Sequence, residues 1–98
     1  MWIGWLQLDL LLGDVHSLKE KRSVVRPLIA AIGRTYAVSV AETGHLDLHR
    51  RAEVGIALVS PDRGHLVDVL DAVERFAASR PELELLAVRR GVGTAEDE

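Results

Sequence analysis

Apolar and polar residues alternate with a period of two in four segments of the chain, residues 2–12, 36–41, 52–59 and 82–90. This is the pattern of a β-strand that buries one face. Two longer segments between them repeat apolar residues at steps of three and four, as an amphipathic helix does. The pattern therefore predicts the order strand, helix, strand, strand, helix, strand.

Both helices have start signals in the sequence. Ser17, followed by Glu20 three positions later, is a capping box and predicts the beginning of the first helix. Pro27 lies inside that helix and removes a backbone hydrogen bond, so we expect a kink or a second start there. The second helix is expected to begin with Ser60 as N-cap and Pro61 at the first helical position.

This order of elements is that of the ferredoxin-like βαββαβ arrangement, an α+β fold. Right-handed crossovers place both helices on one face of a four-stranded antiparallel sheet with strand order 4-1-3-2. A chain of 98 residues has room for one core, so residues 1–90 are expected to form a single domain. Residues 91–98 lack apolar periodicity and end in Glu-Asp-Glu, which predicts a disordered acidic tail.

The sheet face without helices is expected to be half apolar. Trp5 lies on it, as aromatic residues do in the RNA-recognition motif, but the third strand offers only Gly55, Ala57 and Val59, which disfavours base stacking of that kind. A flat face with small residues favours packing against a second copy, and coverage by the chain's own tail is the alternative. The residues expected at the dimer face are Ile3, Trp5, Leu11 and Ala57.

Charge is distributed unevenly along the chain. The net charge is −3 and the isoelectric point is near 5.8, which argues against a dedicated nucleic-acid binder and against DNA as a partner. The segment of the first helix is nevertheless basic, whereas that of the second helix is acidic. The basic residues form either a solvated surface or a contact with phosphate groups. The residues expected on this surface are Lys19, Lys21, Arg22 and Arg26, and Arg34 is a fifth basic residue of the segment.

Several classes of protein are disfavoured by what the sequence contains. The chain has no cysteine, so disulfides and thiol chemistry are excluded. Its apolar runs are of strand length, and it starts directly in a strand pattern, so we expect neither a membrane span nor a signal peptide. A cytoplasmic protein without a cofactor is the expectation.

Ionisable residues are concentrated between the second and third strands, in residues 42–53. Topology is expected to bring this hairpin to the amino end of the first helix, so that His16, His45, Asp47 and His49 gather around an anion site. The alternative is that these groups only cap one another in the turn. No zinc spacing and no Ser or Cys nucleophile accompanies them, so we expect no metal site and no catalytic residue.

Several short motifs resemble those of the YlxP-like family, domain of unknown function 503. They are Ser-Leu-Lys-Glu-Lys-Arg at 17–22, Ser-Val-Ala-Glu at 39–42, His45, Asp47, Arg-Ala-Glu at 51–53, and Gly55. The resemblance implies a ferredoxin-like fold and no established activity. Genes of the family tend to lie beside those for a translation initiation factor and ribosome-binding factor A, which implies a role near ribosome assembly or translation. Gly44 and His49 depart from the family pattern, so the resemblance assigns them no role.

We therefore expect a small non-enzymatic protein, a homodimer, that binds an RNA or a ribosomal particle at the end of the first helix and the hairpin. The alternative is a dimeric regulatory module that holds a small anion or a metal at the same end. The residues expected to bind are Lys19, Lys21, Arg22, Glu42, His45, Asp47, Arg51 and Glu53.

Overall fold

A computed structural model describes residues 1–97 and has the predicted order of elements. The strands are β1 (Trp2–Leu12), β2 (Ser39–Gly44), β3 (Arg51–Ser60) and β4 (Leu83–Thr94). The helices are α1 (Leu18–Thr35) and α2 (Arg63–Ala78), and a 3-10 turn (Ala95–Asp97) follows β4. The strands pair in the order β2-β3-β1-β4, all antiparallel, which is the predicted order viewed from the opposite edge. The ferredoxin-like fold is confirmed.

The core lies between one face of the sheet and the two helices. Alternate residues of β1 and β3 are buried, and each helix contributes an apolar stripe that packs on them. At Gly4, the backbone of β1 approaches α2 so closely that a Cβ atom would overlap the side chain of Leu66. The buried apolar residues are Leu6, Leu8, Leu10, Leu12, Val15, Val25, Leu28, Ile32, Ala52, Val54, Ile56, Leu58, Leu66, Leu70, Val73 and Ala77.

The starts of the helices only partly follow the prediction. Ser17 caps α1, but the helix has no second start at Pro27, which lies on the exposed side of one continuous helix. The prediction of Ser60 as N-cap of α2 is wrong. Asp62 is the N-cap, because its carboxylate accepts hydrogen bonds from two backbone N–H groups of the first turn. Ser60 still pairs with Trp2 in the sheet.

The last strand is longer than predicted. Residues 91–94 were expected to belong to a disordered tail, but they continue β4 and pair with β1 as far as Thr94 opposite Trp2. The prediction is therefore wrong for these residues, and Glu98 lies outside the described residues. Between Asp9 and Leu10 the register shifts by one residue, which places Leu86 in a bulge with 44% of its surface exposed.

Candidate functional site

A buried ion pair joins the first helix to the hairpin. The Nζ atom of Lys21 lies 2.7 Å from Oε2 of Glu42 and donates a hydrogen bond of 2.7 Å to the carbonyl of His45. Only 3% of the Lys21 side chain is exposed, and a buried ammonium needs such partners to offset its lost hydration. Lys21 therefore does not belong to the exposed basic surface predicted from the sequence.

The burial of Lys21 has a signal in the sequence. Its position lies four residues before Val25 and seven before Leu28, which are both buried. These spacings put Lys21 on the apolar stripe of α1, not on its outer face. A lysine in such a stripe indicates an internal partner, and Glu42 is that partner.

His45 has an unusual backbone, with φ of 55°, in the left-handed region that non-glycine residues seldom occupy. Its carbonyl accepts hydrogen bonds from Lys21 and, at 3.1 Å, from the N–H of Leu48. Its ring lies near the helix-free face, where Nε2 is 3.6 Å from Oδ1 of Asp9. His45 thus connects the helix side of the sheet with the helix-free face.

Several polar side chains at one end of that face contact one another, and we call them the polar network. The Nη2 atom of Arg51 donates to both carboxylate oxygens of Asp9, at 2.7 and 2.6 Å. The Oγ1 atom of Thr43 donates to Oε2 of Glu53 at 2.7 Å. Hydrogen bonds from Thr43 and Gln7 hold the pKa of Glu53 below its ordinary value.

The polar network borders a small cleft of about 160 Å³ on the helix-free face, lined by Gln7, Asp9, His45, Glu53, Ala87 and Arg89. Asp9 and Glu53 already have cationic or hydroxyl partners from the same chain. Within residues 1–97, no group of three or more His, Cys, Asp or Glu side chains is arranged to hold a metal ion. The network therefore fixes the hairpin to the central strands.

The other residues expected at this end lie apart from the network. Nε2 of His16 is 2.6 Å from Oδ1 of Asp14, and both side chains are exposed. The side chain of Arg50 donates to the carbonyls of Leu12 and Gly13. Asp47 and His49 are exposed, and in the described part of the chain no side-chain hydrogen bond or ion pair holds them. The three histidines thus have different surroundings.

The amino end of α1 is filled by the chain itself. The hydroxyl of Ser17 accepts the N–H of Glu20 at 3.1 Å, and the carboxylate of Glu20 accepts the N–H of His16 at 3.1 Å. This is a variant of the capping box, since the carboxylate bonds the residue before the N-cap. An acidic side chain therefore already occupies the place where an anion was expected.

The outer side of α1 carries a row of free cations, which we call the basic face: Lys19, Arg22, Arg26 and Arg34. All four are exposed, and none has an ion-pair partner among residues 1–97. Steps of three and four residues put Lys19, Arg22 and Arg26 on successive turns of one side. At a rise of 1.5 Å per residue the row extends over roughly 22 Å. Arg26 and Arg34 were recognised as basic residues but not as members of the site.

The predicted dimer face divides into two parts. Trp5 and Ala57 are exposed and Ile3 is half-buried, next to Val59 at the far end of the helix-free face from the polar network. Leu11 is half-buried at the opposite end, beside Arg51. A groove of about 430 Å³ starts beside Trp5 and runs between β1 and β2.

Two comparisons with known proteins identify the family of this chain. Residues 3–90 match the family described as "Protein of unknown function (DUF503)". The chain belongs to this family. It is also 34% identical over 87 residues to "Uncharacterized protein YlxP" of Bacillus subtilis (strain 168), which is 89% of this chain and 95% of that protein. The family membership expected from the motifs is thus confirmed.

The structure adds one finding about membranes. Neither helix in the described part of this DUF503 protein is long and apolar enough to cross a bilayer.

Proposed function

We propose that this DUF503 protein is a non-enzymatic cytoplasmic module that binds RNA, alone or within a ribosomal particle, through the basic face of α1. The observation that carries the proposal is the set of four exposed cations without internal partners, Lys19, Arg22, Arg26 and Arg34. A guanidinium group that has no carboxylate partner is available to bind phosphate through two parallel hydrogen bonds.

The other basic residues support this choice by contrast. Lys21 is paired with Glu42, Arg51 with Asp9, and Arg90 with Asp71 and Glu74 on α2. Single cations without an ion-pair partner among residues 1–97 also lie elsewhere, such as Arg75 on α2 and Arg89 on β4, but the outer side of α1 carries four of them together. Contacts of this kind position a protein on a phosphate backbone without reading its sequence.

The length of the basic face favours a polymer of phosphates over one small anion. A row of roughly 22 Å is longer than any single phosphate group, and the amino end of α1 is occupied by Glu20. The overall charge of −3 is unsuited to tight binding of any duplex, but a local row of cations is compatible with RNA inside a larger particle. The gene neighbourhood typical of the family supports a ribosomal setting.

A non-enzymatic role agrees with the polar network. Its carboxylates are held by Arg51 and Thr43, and Nε2 of His45 lies 3.6 Å from Asp9. Groups that hydrogen-bond one another in this way stabilise a hairpin, whereas a reactive pair needs a nucleophile within reach.

The test is co-sedimentation with ribosomal particles from cell extract, with and without nuclease. The proposal predicts that the protein sediments with particles, that nuclease releases it, and that the double variant R22E/R26E stays in the supernatant. R75E is the matched control, because Arg75 is exposed on α2 and has no ion-pair partner in residues 1–97. Sedimentation of R22E/R26E equal to that of the wild type would contradict the proposal.

The alternative is a regulatory module that binds a small anion at the cleft beside the polar network. Its supporting observation is Arg89, an exposed cation at the cleft with no ion-pair partner within the described residues. A thermal-shift screen with phosphates and nucleotides separates the two functions, since a true ligand raises the melting midpoint by mass action. A shift that R89A abolishes and R22E/R26E retains favours this alternative.

A further inference from the structure

The apolar end of the helix-free face is open to solvent. Trp5 is 42% exposed and Val59 is 63% exposed, although both lie on strands at the centre of the sheet. The end of β4 does not fold over them, since it pairs alongside β1 up to Thr94. Coverage by the chain itself is therefore excluded for the residues that the structure describes.

A projection and a recess lie side by side on this face. The indole of Trp5 lies over Gly91 of β4, so closely that a Cβ atom on Gly91 would overlap it. On the other side of Trp5 is the groove of about 430 Å³, with small residues Gly55 and Ala57 on β3 and Ser39 and Ala41 on β2. The groove is open to solvent, and its volume is larger than one indole ring.

We propose that the helix-free face binds a second copy of this chain, with Trp5 of each protomer in the groove of its partner. Trp5 pairs with Ala57 and Gln7 with Gly55 across β1 and β3. The proposed two-fold axis runs parallel to the strands, between the two packed faces and above the line midway between β1 and β3. Rotation about this axis places each residue of β1 opposite a residue of the partner's β3, namely the one with which it is paired in its own sheet.

This operation matches large residues to small ones. Trp5 meets Ala57 of the partner, and Gln7 meets Gly55 of the partner, so the two inner faces interdigitate at the usual sheet spacing of about 10 Å. Asp9 comes opposite Glu53 of the partner, and each Asp9 already carries Arg51 as its neutralising cation. The face is thus complementary to itself in shape at its apolar end, and at the polar end Arg51 neutralises Asp9 while Glu53 accepts a hydrogen bond from Thr43.

The area is sufficient for such a dimer. Four strands about 4.8 Å apart and about 33 Å long give a face of roughly 600 Å². Two such faces bury roughly 1,200 Å², which is at the lower limit of specific interfaces and predicts a dimer that dissociates on dilution. The helices remain on the two outer sides of the dimer, so this inference does not depend on the basic face.

The test is the mass of the protein in solution, measured by light scattering at about 100 µM. This concentration is roughly a hundred times a dimer dissociation constant of about 1 µM, so such a dimer would be almost fully formed. The wild type is expected at twice the protomer mass of 10.8 kDa. W5E and A57E are expected to be monomers, and the control L46E, at an exposed apolar residue of the hairpin turn, is expected to remain a dimer. Far-UV circular dichroism checks that each variant is folded. A monomeric wild type, or a folded W5E that stays dimeric, overturns the inference.

A second measurement needs no disruptive substitution. W2F leaves Trp5 as the single tryptophan, and its fluorescence emission is expected to move to longer wavelength on dilution as the indole leaves the partner's groove. An emission maximum independent of concentration across the range in which the mass changes would show that Trp5 is outside the interface and would overturn the proposed geometry.

Discussion

Lys21 on α1 and Glu42 on β2 form an ion pair of 2.7 Å on the buried side of the sheet. The same ammonium donates to the carbonyl of His45, at the residue where the backbone enters the left-handed region. One buried lysine thus fixes the distance between the first helix and the start of the hairpin, and it holds a strained turn in place. This relationship gives Glu42 and the backbone of His45, two of the residues in the polar hairpin, a structural role.

Removing the ammonium of Lys21 should therefore destabilise the fold. K21M leaves the carboxylate of Glu42 without its cation and removes one of the two hydrogen bonds to the carbonyl of His45. We expect a loss of about 2–4 kcal/mol in the free energy of unfolding, since breaking a buried pair leaves the remaining charge without a partner. Urea denaturation measures the loss. K19M, on the exposed side of the same helix, should change stability by less than about 0.5 kcal/mol. Equal stabilities of K21M and K19M would contradict the assigned role.

The pair should also show coupling. The double variant K21M/E42Q leaves no buried charge without a partner. Its free energy of unfolding should therefore fall by less than the sum of the losses in the two single variants, with an interaction energy of about 1 kcal/mol or more. A double-mutant cycle by urea denaturation measures this quantity. Strictly additive losses would mean that the two side chains act independently.

The ionisation of Glu53 should contribute to stability in a defined range of pH. Its pKa is lowered in the folded state by hydrogen bonds from Thr43 and Gln7, relative to an ordinary value of 4.5. A lowered folded-state pKa gives stability that is present above the unfolded pKa and is lost as the pH falls through the folded pKa. The stability advantage of the wild type over E53Q should therefore be present at pH 7, begin to fall as the pH drops below 4.5, and disappear below the lowered folded-state pKa. An advantage unchanged at low pH would contradict this account.

Packing under α2 leads to a prediction at Gly4. A Cβ atom there would overlap the side chain of Leu66, so G4A should cost about 1–3 kcal/mol through overpacking. G33A is the control, because a Cβ atom at Gly33 of α1 makes only ordinary contact with Val40 at 3.6 Å. In a helix this substitution should raise stability by about 0.5–1 kcal/mol. Both changes are read from thermal or urea unfolding, and a stabilising G4A would contradict the packing described here.

The elements that bury one face were predictable from the sequence. β1 and β3 alternate clearly because each places every second residue in the core, and the stripe of α1 repeats for the same reason. The end of β4 was not predictable, because Gly91 and Gly93 have no strand preference of their own. They extend the sheet because β1 is long enough to pair with β4 as far as Thr94. A glycine is required at position 91 because a Cβ atom there would overlap the indole of Trp5.

The candidate site was predictable only in part. The hairpin residues Glu42, His45, Arg51 and Glu53 do interact, but with partners on β1 and α1 that lie far away in sequence, such as Asp9. The exposure of a cation depends on which acids come near it in space, and the chain order does not give this information. The spacing along α1 separates Lys21, on the buried stripe, from the exposed Arg22, but it does not identify Glu42 as the partner of Lys21.

The salt dependence of RNA binding tests the central claim most directly. Fluorescence anisotropy with a labelled single-stranded RNA, repeated at several salt concentrations, gives the affinity and its slope against salt for the wild type, R22E/R26E and R75E. The basic face predicts that R22E/R26E binds at least about tenfold more weakly. It also predicts a slope shallower by roughly 0.7 for each phosphate that the variant no longer neutralises, with R75E close to the wild type. Equal affinity and slope for R22E/R26E and R75E would contradict the account.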